Sequence, residues 1–276
     1  MVVLVEKLGR SLNFPSSSKP KPLDRHLKSA PLADFRSKIS EFIAGMGSEL
    51  LSLKGFNKCF ELIHTSNSAL ADLAIQIDYP MRQWGPCLTA EYLSCTSDLL
   101  SLSNAVTSSV SHLTHAKMRL LHALSTSPAT SAAARLAAPP QQKIRFEKAI
   151  MLGERGACSR QERVLLEALI MCRKLGLLAL GLVVSGLCGD AESYMEMRRK
   201  AGGIDDPLLK EVDMRFCKEV VVMEEVGEVE MGVEEVKRRL KVMEDSLQRI
   251  NTQTDHLFSQ LLNARNKLIA HISFPE

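Results

Sequence analysis

The chain has 276 residues, 45% hydrophobic and 24% charged, with 35 Lys and Arg against 32 Asp and Glu. These fractions exclude global disorder, a collagen-like repeat and a polytopic membrane protein, and a net charge of +3 gives no polyelectrolyte character that would point to nucleic acid. Aromatics at 5% and only 15 Gly and 11 Pro argue against an all-β chain, leaving a soluble or peripherally membrane-associated helical protein as the expectation.

Residues 1–30 carry six Lys or Arg against Glu6 and Asp24, with Ser16–Ser18 and prolines at 15, 20 and 22. They read as a basic, disordered N-terminal tail able to touch anionic lipid, with an organelle transit peptide as the alternative. The apolar run after Met1 is short for a secretory signal, and Val2 does not fit myristoylation.

Residues 31–126 are expected to form an N-terminal helical half. Phe35, Ile39, Phe42, Ile43, Met46, Leu50 and Leu51 recur at helical spacing and predict an amphipathic helix from Ala33 to Leu53. Gly55 is a candidate break, after which Phe56, Phe60, Ile63, Leu70, Leu73 and Ile77 predict a helix over 56–77. Asp78-Tyr-Pro-Met81 reads as a corner between helices, and Trp84, the single Trp, is expected to pack over it. A long helix is then predicted from Leu88 to Ser125. Its stripe is Tyr92, Cys95, Leu99, Leu102, Val106, Val110, Leu113, Leu120 and Leu124.

The Ser/Ala/Pro-rich stretch at 127–142 reads as a loop, and residues 143–276 as a C-terminal helical half. Ser159 followed by Glu162 has the capping-box pattern, and a helix should run from there through Leu187. Residues 219–235 hold seven Glu, and Lys237, Arg238, Arg239 and Lys241 follow. That reversal predicts pairing within one helix, for example Glu234 with Arg238. From Val222 through Val226, Val229, Val233, Val236, Leu240, Met243, Leu247, Ile250, Thr254, Leu257, Leu261, Ala264 and Leu268 the steps alternate four and three. Such a seam must be covered, either by the Leu88–Ser125 helix or by a second protein; the intramolecular pairing is the expectation. The fold predicted is all-α: an elongated antiparallel helical bundle with long coiled-coil-like helices.

Leu175 to Gly189 contains fifteen uncharged residues. Fifteen helical residues reach about 22 Å, short of a bilayer core of about 30 Å. Three readings stand: a helix buried on all sides, a membrane-inserted or re-entrant hairpin, and interfacial attachment. Arg173-Lys174 would have to snorkel or face protein in the second. Gly181, Ser185 and Gly189 share a face and would let another helix approach closely.

Chemistry-bearing motifs are missing. There is no GxGxxG after a strand, no P-loop lysine and no GxSxG. The seven Cys contain no CxxC pair, so free buried thiols in a reducing compartment are expected. His112, His115 and His122 can line one helix face, but their neighbours are Ser, Thr, Lys and Arg, so solvated or capping roles are expected and no metal. Cys59 and His64, five apart, fall on different helix faces and lack an orienting acid, so they do not make a nucleophile and base. No catalytic, cofactor-binding or metal residues are predicted.

Several blocks resemble a known family. They are Lys58-Cys-Phe-Glu-Leu62, Ile77-Asp-Tyr-Pro-Met81 with Trp84, Glu91-Tyr-Leu93, Val184-Ser-Gly-Leu-Cys-Gly-Asp190, Tyr194-Met-Glu-Met-Arg198 and Lys200-Ala-Gly-Gly203, with the start Met1-Val-Val-Leu-Val-Glu-Lys-Leu8. In order and spacing they resemble the plant BYPASS family over nearly the whole chain. The resemblance implies a non-enzymatic regulator of root and shoot development that restrains a root-derived mobile signal arresting shoot growth. It also implies partners in exocytosis or endomembrane machinery, and a membrane-associated place at the endoplasmic reticulum, or a cytoplasmic or plastid one. No catalytic residues come with it. Two other readings are a membrane-anchored component of trafficking or secretion, and a binder or modifier of a small apolar signal metabolite.

Overall fold

The computed structural model describes residues 30–126, 159–224 and 233–273. These form α1 (Ala30–Ala44), α2 (Leu53–Gln76), a 3-10 turn (Met81–Gln83), α3 (Pro86–Thr126), α4 (Arg160–Cys188), α5 (Glu192–Ala201), α6 (Pro207–Glu224) and α7 (Val233–Ser273). Among the described residues the chain is all-α. The predicted tail up to residue 29 and the 127–142 loop lie outside them.

The first predicted helix is shorter than its apolar pattern. Phe35, Ile39 and Ile43 are buried on α1, but the helix stops at Ala44 although Met46 and Leu50 are also buried. Gly47 and Glu49 turn the backbone to positive φ, 75° and 63°. Side chains from α6 hold the turn: Arg215 Nη1 donates to Ile43 O at 2.8 Å, and Leu50 N donates to Glu219 at 3.1 Å. The Ser52 hydroxyl then caps α2 by accepting from Gly55 N. Gly55 does not break the helix. A Cβ there would lie 2.2 Å from Leu50 O, so the tight entry requires glycine.

The corner after α2 matches its reading. Asp78 takes φ 49°, the 3-10 turn follows, and Pro86 opens α3, where its missing N–H costs nothing. The Trp84 ring meets Tyr92 edge-on at 5.4 Å.

α4 is the centre of the molecule. Glu162 N donates to the Ser159 hydroxyl at 3.1 Å at its start, and Gly189 in the left-handed region (φ 70°) closes it. Every residue from Leu175 to Ser185 is buried. α4 packs against α2, α3, α5 and α6. Gly186 lies against Phe56 of α2, Gly176 against Leu99 of α3, and Gly181 against Met197 and Tyr194 of α5. Of the expected small-residue face, then, Gly181 admits a helix, Ser185 bonds to Asp190 O, and Gly189 serves as the cap with nothing near its Cβ position.

Helix directions follow from these contacts. Arg265 of α7 reaches Leu93 and Thr96 near the start of α3, while Glu244 meets Lys117 near its end. The two helices are therefore antiparallel. Cys172 meets Ser66 and Gly186 meets Phe56, so α4 is antiparallel to α2. By contrast, Arg173 meets Asp98 and Cys188 meets Ser109, so α4 runs parallel to α3 and the packing is mixed.

α7 buries Leu240, Leu247, Ile250, Thr254, Leu257, Leu261, Ala264 and Leu268, the second half of the predicted seam. Val226 and Val229 lie outside the described residues, as does the middle of the acidic run, residues 225–232. Glu235 pairs with both Arg238 and Arg239, and the side chain of Glu234 lies outside what the structure describes.

Candidate functional site

Three polar groupings deserve description as sites because each gathers side chains from distant parts of the chain. The first joins α3, α4 and α5. Arg173 Nε and Nη2 donate to Asp98 Oδ2 at 2.9 and 2.6 Å, and Nη1 donates to Glu91 Oε1 at 2.8 Å. Lys200 of α5 meets the other oxygen of Asp98 at 2.7 Å. Two cations and two carboxylates thus neutralise one another. Burial acts against the Arg173 charge, but Glu91 and Asp98 hold its pKa above the usual value. For Lys200 burial prevails over Asp98 and its pKa is lowered. Arg173 faces protein and does not snorkel; Lys174 donates to Gly203 O.

The second ties α5 to α6. Arg198 Nε donates to both oxygens of the buried Asp213, at 2.7 and 2.9 Å, and the Tyr194 hydroxyl donates to Oδ1 at 3.0 Å. The Tyr194 ring also meets Phe216 edge-on. Burial first, then Asp213, raises the Tyr194 pKa. In both groupings the acceptors are taken by donors of the chain itself, so their chemistry is helix attachment.

The third lies where α3 and α7 extend beyond α4. Cys188, the last residue of α4, sits beside Ser109 at 3.4 Å. Past that level His112, His115, Met118, Arg119 and His122 are exposed on α3, and Lys241 and Val242 on α7. Basic and apolar side chains mix on this surface, which makes it the candidate interaction face. Lys117 is the exception: it is buried and meets Glu244 at 2.6 Å.

The predicted residues can now be placed. Cys59 is fully buried and its pKa is pushed up to about 12 by that burial, so its thiol is inert. His64 faces α7 instead, with its ring 5.4 Å from that of His256. Cys59, Cys95 and Cys172 are buried free thiols, and Cys87, Cys188 and Cys217 half-buried ones; Cys158 lies outside the described residues. The histidine line on α3 is exposed, and no group of three metal-ligating side chains occurs among the described residues. α4 is the one described helix long and apolar enough to cross a membrane, with a mean hydropathy of 1.9 over its best window. Of that window 83% is buried against protein, as in a core helix.

Sequence reading missed Asp98, Lys200, Asp213 and Lys117. The first three are single charges whose partners lie on other helices. Lys117 left a signal: it fills the one gap in the α3 stripe, between Leu113 and Leu120. No family model, no curated protein and no solved structure matches the chain.

Proposed function

We propose that this chain is a non-enzymatic regulator of plant root and shoot development, a helical scaffold that acts through protein partners at an endomembrane surface and restrains a root-derived mobile signal. Its architecture is then an elongated bundle with coiled-coil-like α3 and α7. One observation carries the reading: the blocks that resemble the BYPASS family are used to join helices. Glu91 and Lys200 belong to the Asp98 cluster, Tyr194 and Arg198 bind Asp213, Trp84 packs on Tyr92, and Cys59, Phe60 and Leu62 are buried. Residues that fix a frame, with a mixed basic and apolar face beyond it, suit a scaffold better than a reaction centre. The test is to supply the chain only in the roots of plants disrupted in that family. Restored shoot growth is expected; persistent arrest, with the protein present at normal abundance, would overturn the proposal.

The apolarity of α4 favours a second reading, a membrane-anchored component of endomembrane trafficking or secretion. Carbonate extraction of membranes from cells expressing the full chain separates the two. Release into the supernatant fits α4 as core, with any membrane contact peripheral. Retention in the pellet means that α4 leaves its protein neighbours and enters lipid.

A further inference from the structure

The stripe along α3 steps by threes and fours from Val106 to Leu124, and Lys117 stands where the next apolar residue belongs. It is 6% exposed, although His115, Met118 and Arg119 around it are exposed. A lysine at a seam position is costly unless its ammonium is satisfied. Here the ammonium meets Glu244, a carboxylate 64% exposed and therefore held weakly. Beside the pair opens a crevice of about 200 Å³ between α3 and α7. Val110 and Leu247 give it apolar walls, and Thr114, Gln248 and Asn251 add polar ones. Fixing the register of two helices explains a lysine and its partner; it does not explain a cavity next to them.

We infer that this crevice binds a small organic anion, a carboxylate carried on a compact apolar body. The ligand carboxylate takes the Lys117 ammonium, and Glu244, already mostly in water, swings out at little cost. The apolar body lies on Val110 and Leu247, while the amides of Gln248 and Asn251 supply hydrogen bonds. The crevice of about 200 Å³ has room for a substituted ring or a short branched chain. The site stands independently of the scaffold reading.

The test is a titration of the full chain with benzoate, followed by nuclear magnetic resonance at the amides of Thr114, Gln248 and Asn251, with neutral benzamide as the control. Saturable shifts are expected with benzoate and much weaker ones with benzamide. Lys117→Met keeps the bulk of the side chain and removes its charge. It should weaken benzoate binding about tenfold or more while the helical signal and melting temperature hold or rise. Glu244→Gln alters a mostly exposed side chain and removes the competing carboxylate, so it should tighten binding. Absence of saturable shifts, equal binding of benzoate and benzamide, or undiminished binding by folded Lys117→Met overturns the site. Should Lys117→Met not fold, Glu244→Gln decides: tighter benzoate binding supports the site, and unchanged or weaker binding overturns it.

Discussion

Two ion clusters with similar distances sit in opposite surroundings. Around α4, Asp98 is 5% exposed and meets Arg173 at 2.6 Å and Lys200 at 2.7 Å. At the start of α7, Glu235 meets Arg238 at 2.7 Å and Arg239 at 2.8 Å, with both arginines mostly in water. Geometry alone would rate them equal. They differ because water screens the second cluster and competes for its groups, while helices on three sides exclude it from the first. The same contrast divides the molecule. Near α4 polar groups fix where helices sit; beyond Ser109 His112, His115 and Arg119 face outward, while Lys117 is buried against Glu244.

The harshest test of this division removes residues 240–276. That deletion takes away Leu247, Ile250, Leu257, Leu261 and Leu268, all buried against the rest of the chain. Each contributes about 1.5–3 kcal/mol, and together they rival a whole domain's stability of about 5–15 kcal/mol. Circular dichroism and gel filtration should find an unfolded or aggregated product; a well-folded monomer would show that α7 is an appendage. Next comes the ion-cluster comparison itself. Asp98→Ala removes the acceptor that Arg173 and Lys200 share and leaves Arg173 with Glu91 alone, so it should cost about 3 kcal/mol in urea denaturation. Glu235→Gln should leave the midpoint where it is. Comparable midpoints for the two variants would end the distinction between the regions.

A finer probe addresses where α2 meets α7. Gln260 is buried with Oε1 unpartnered, its Nε2 3.1 Å from His256 Nε2. Gln260→Met keeps the length and removes the orphaned acceptor, so a gain of about 1 kcal/mol is expected in the same assay. A loss would mean that the amide holds α7 in place.

Much of the frame was legible because it is local and periodic. The Ser159 cap, the α3 stripe as far as Val110 and the second half of the α7 seam depend on spacing within one segment, and each is found where the pattern put it. The end of α1 was not legible. Met46 and Leu50 continue the helical spacing, yet the backbone turns away, held by Arg215 and Glu219 from about 170 residues further on. The Asp98 cluster failed for the same reason: a lone Asp among Ser and Leu gives no sign of Arg173 or Lys200. The parallel run of α3 and α4 was missed because spacing within a helix does not encode its direction relative to another.

The smallest expected effect tests whether the α2–α7 contact responds to pH. Burial chiefly, with the neighbouring His256 acting weakly in the same direction, lowers the His64 pKa from its usual 6.5. The folded chain therefore takes up a proton less readily than the unfolded chain. Over the window between the lowered value and 6.5 the unfolded state holds more protons, so stability rises with pH. The contribution is complete above 6.5 and is lost as pH falls through that window. His64 is half-buried, so solvent screens the effect and a small slope is expected. Melting temperatures at about pH 7.5 and about pH 5.5 should differ more for the native chain than for His64→Gln, which cannot titrate there. An unchanged slope in that variant would assign the acid sensitivity to other groups and leave the α2–α7 contact as insensitive to protons as the packing around α4.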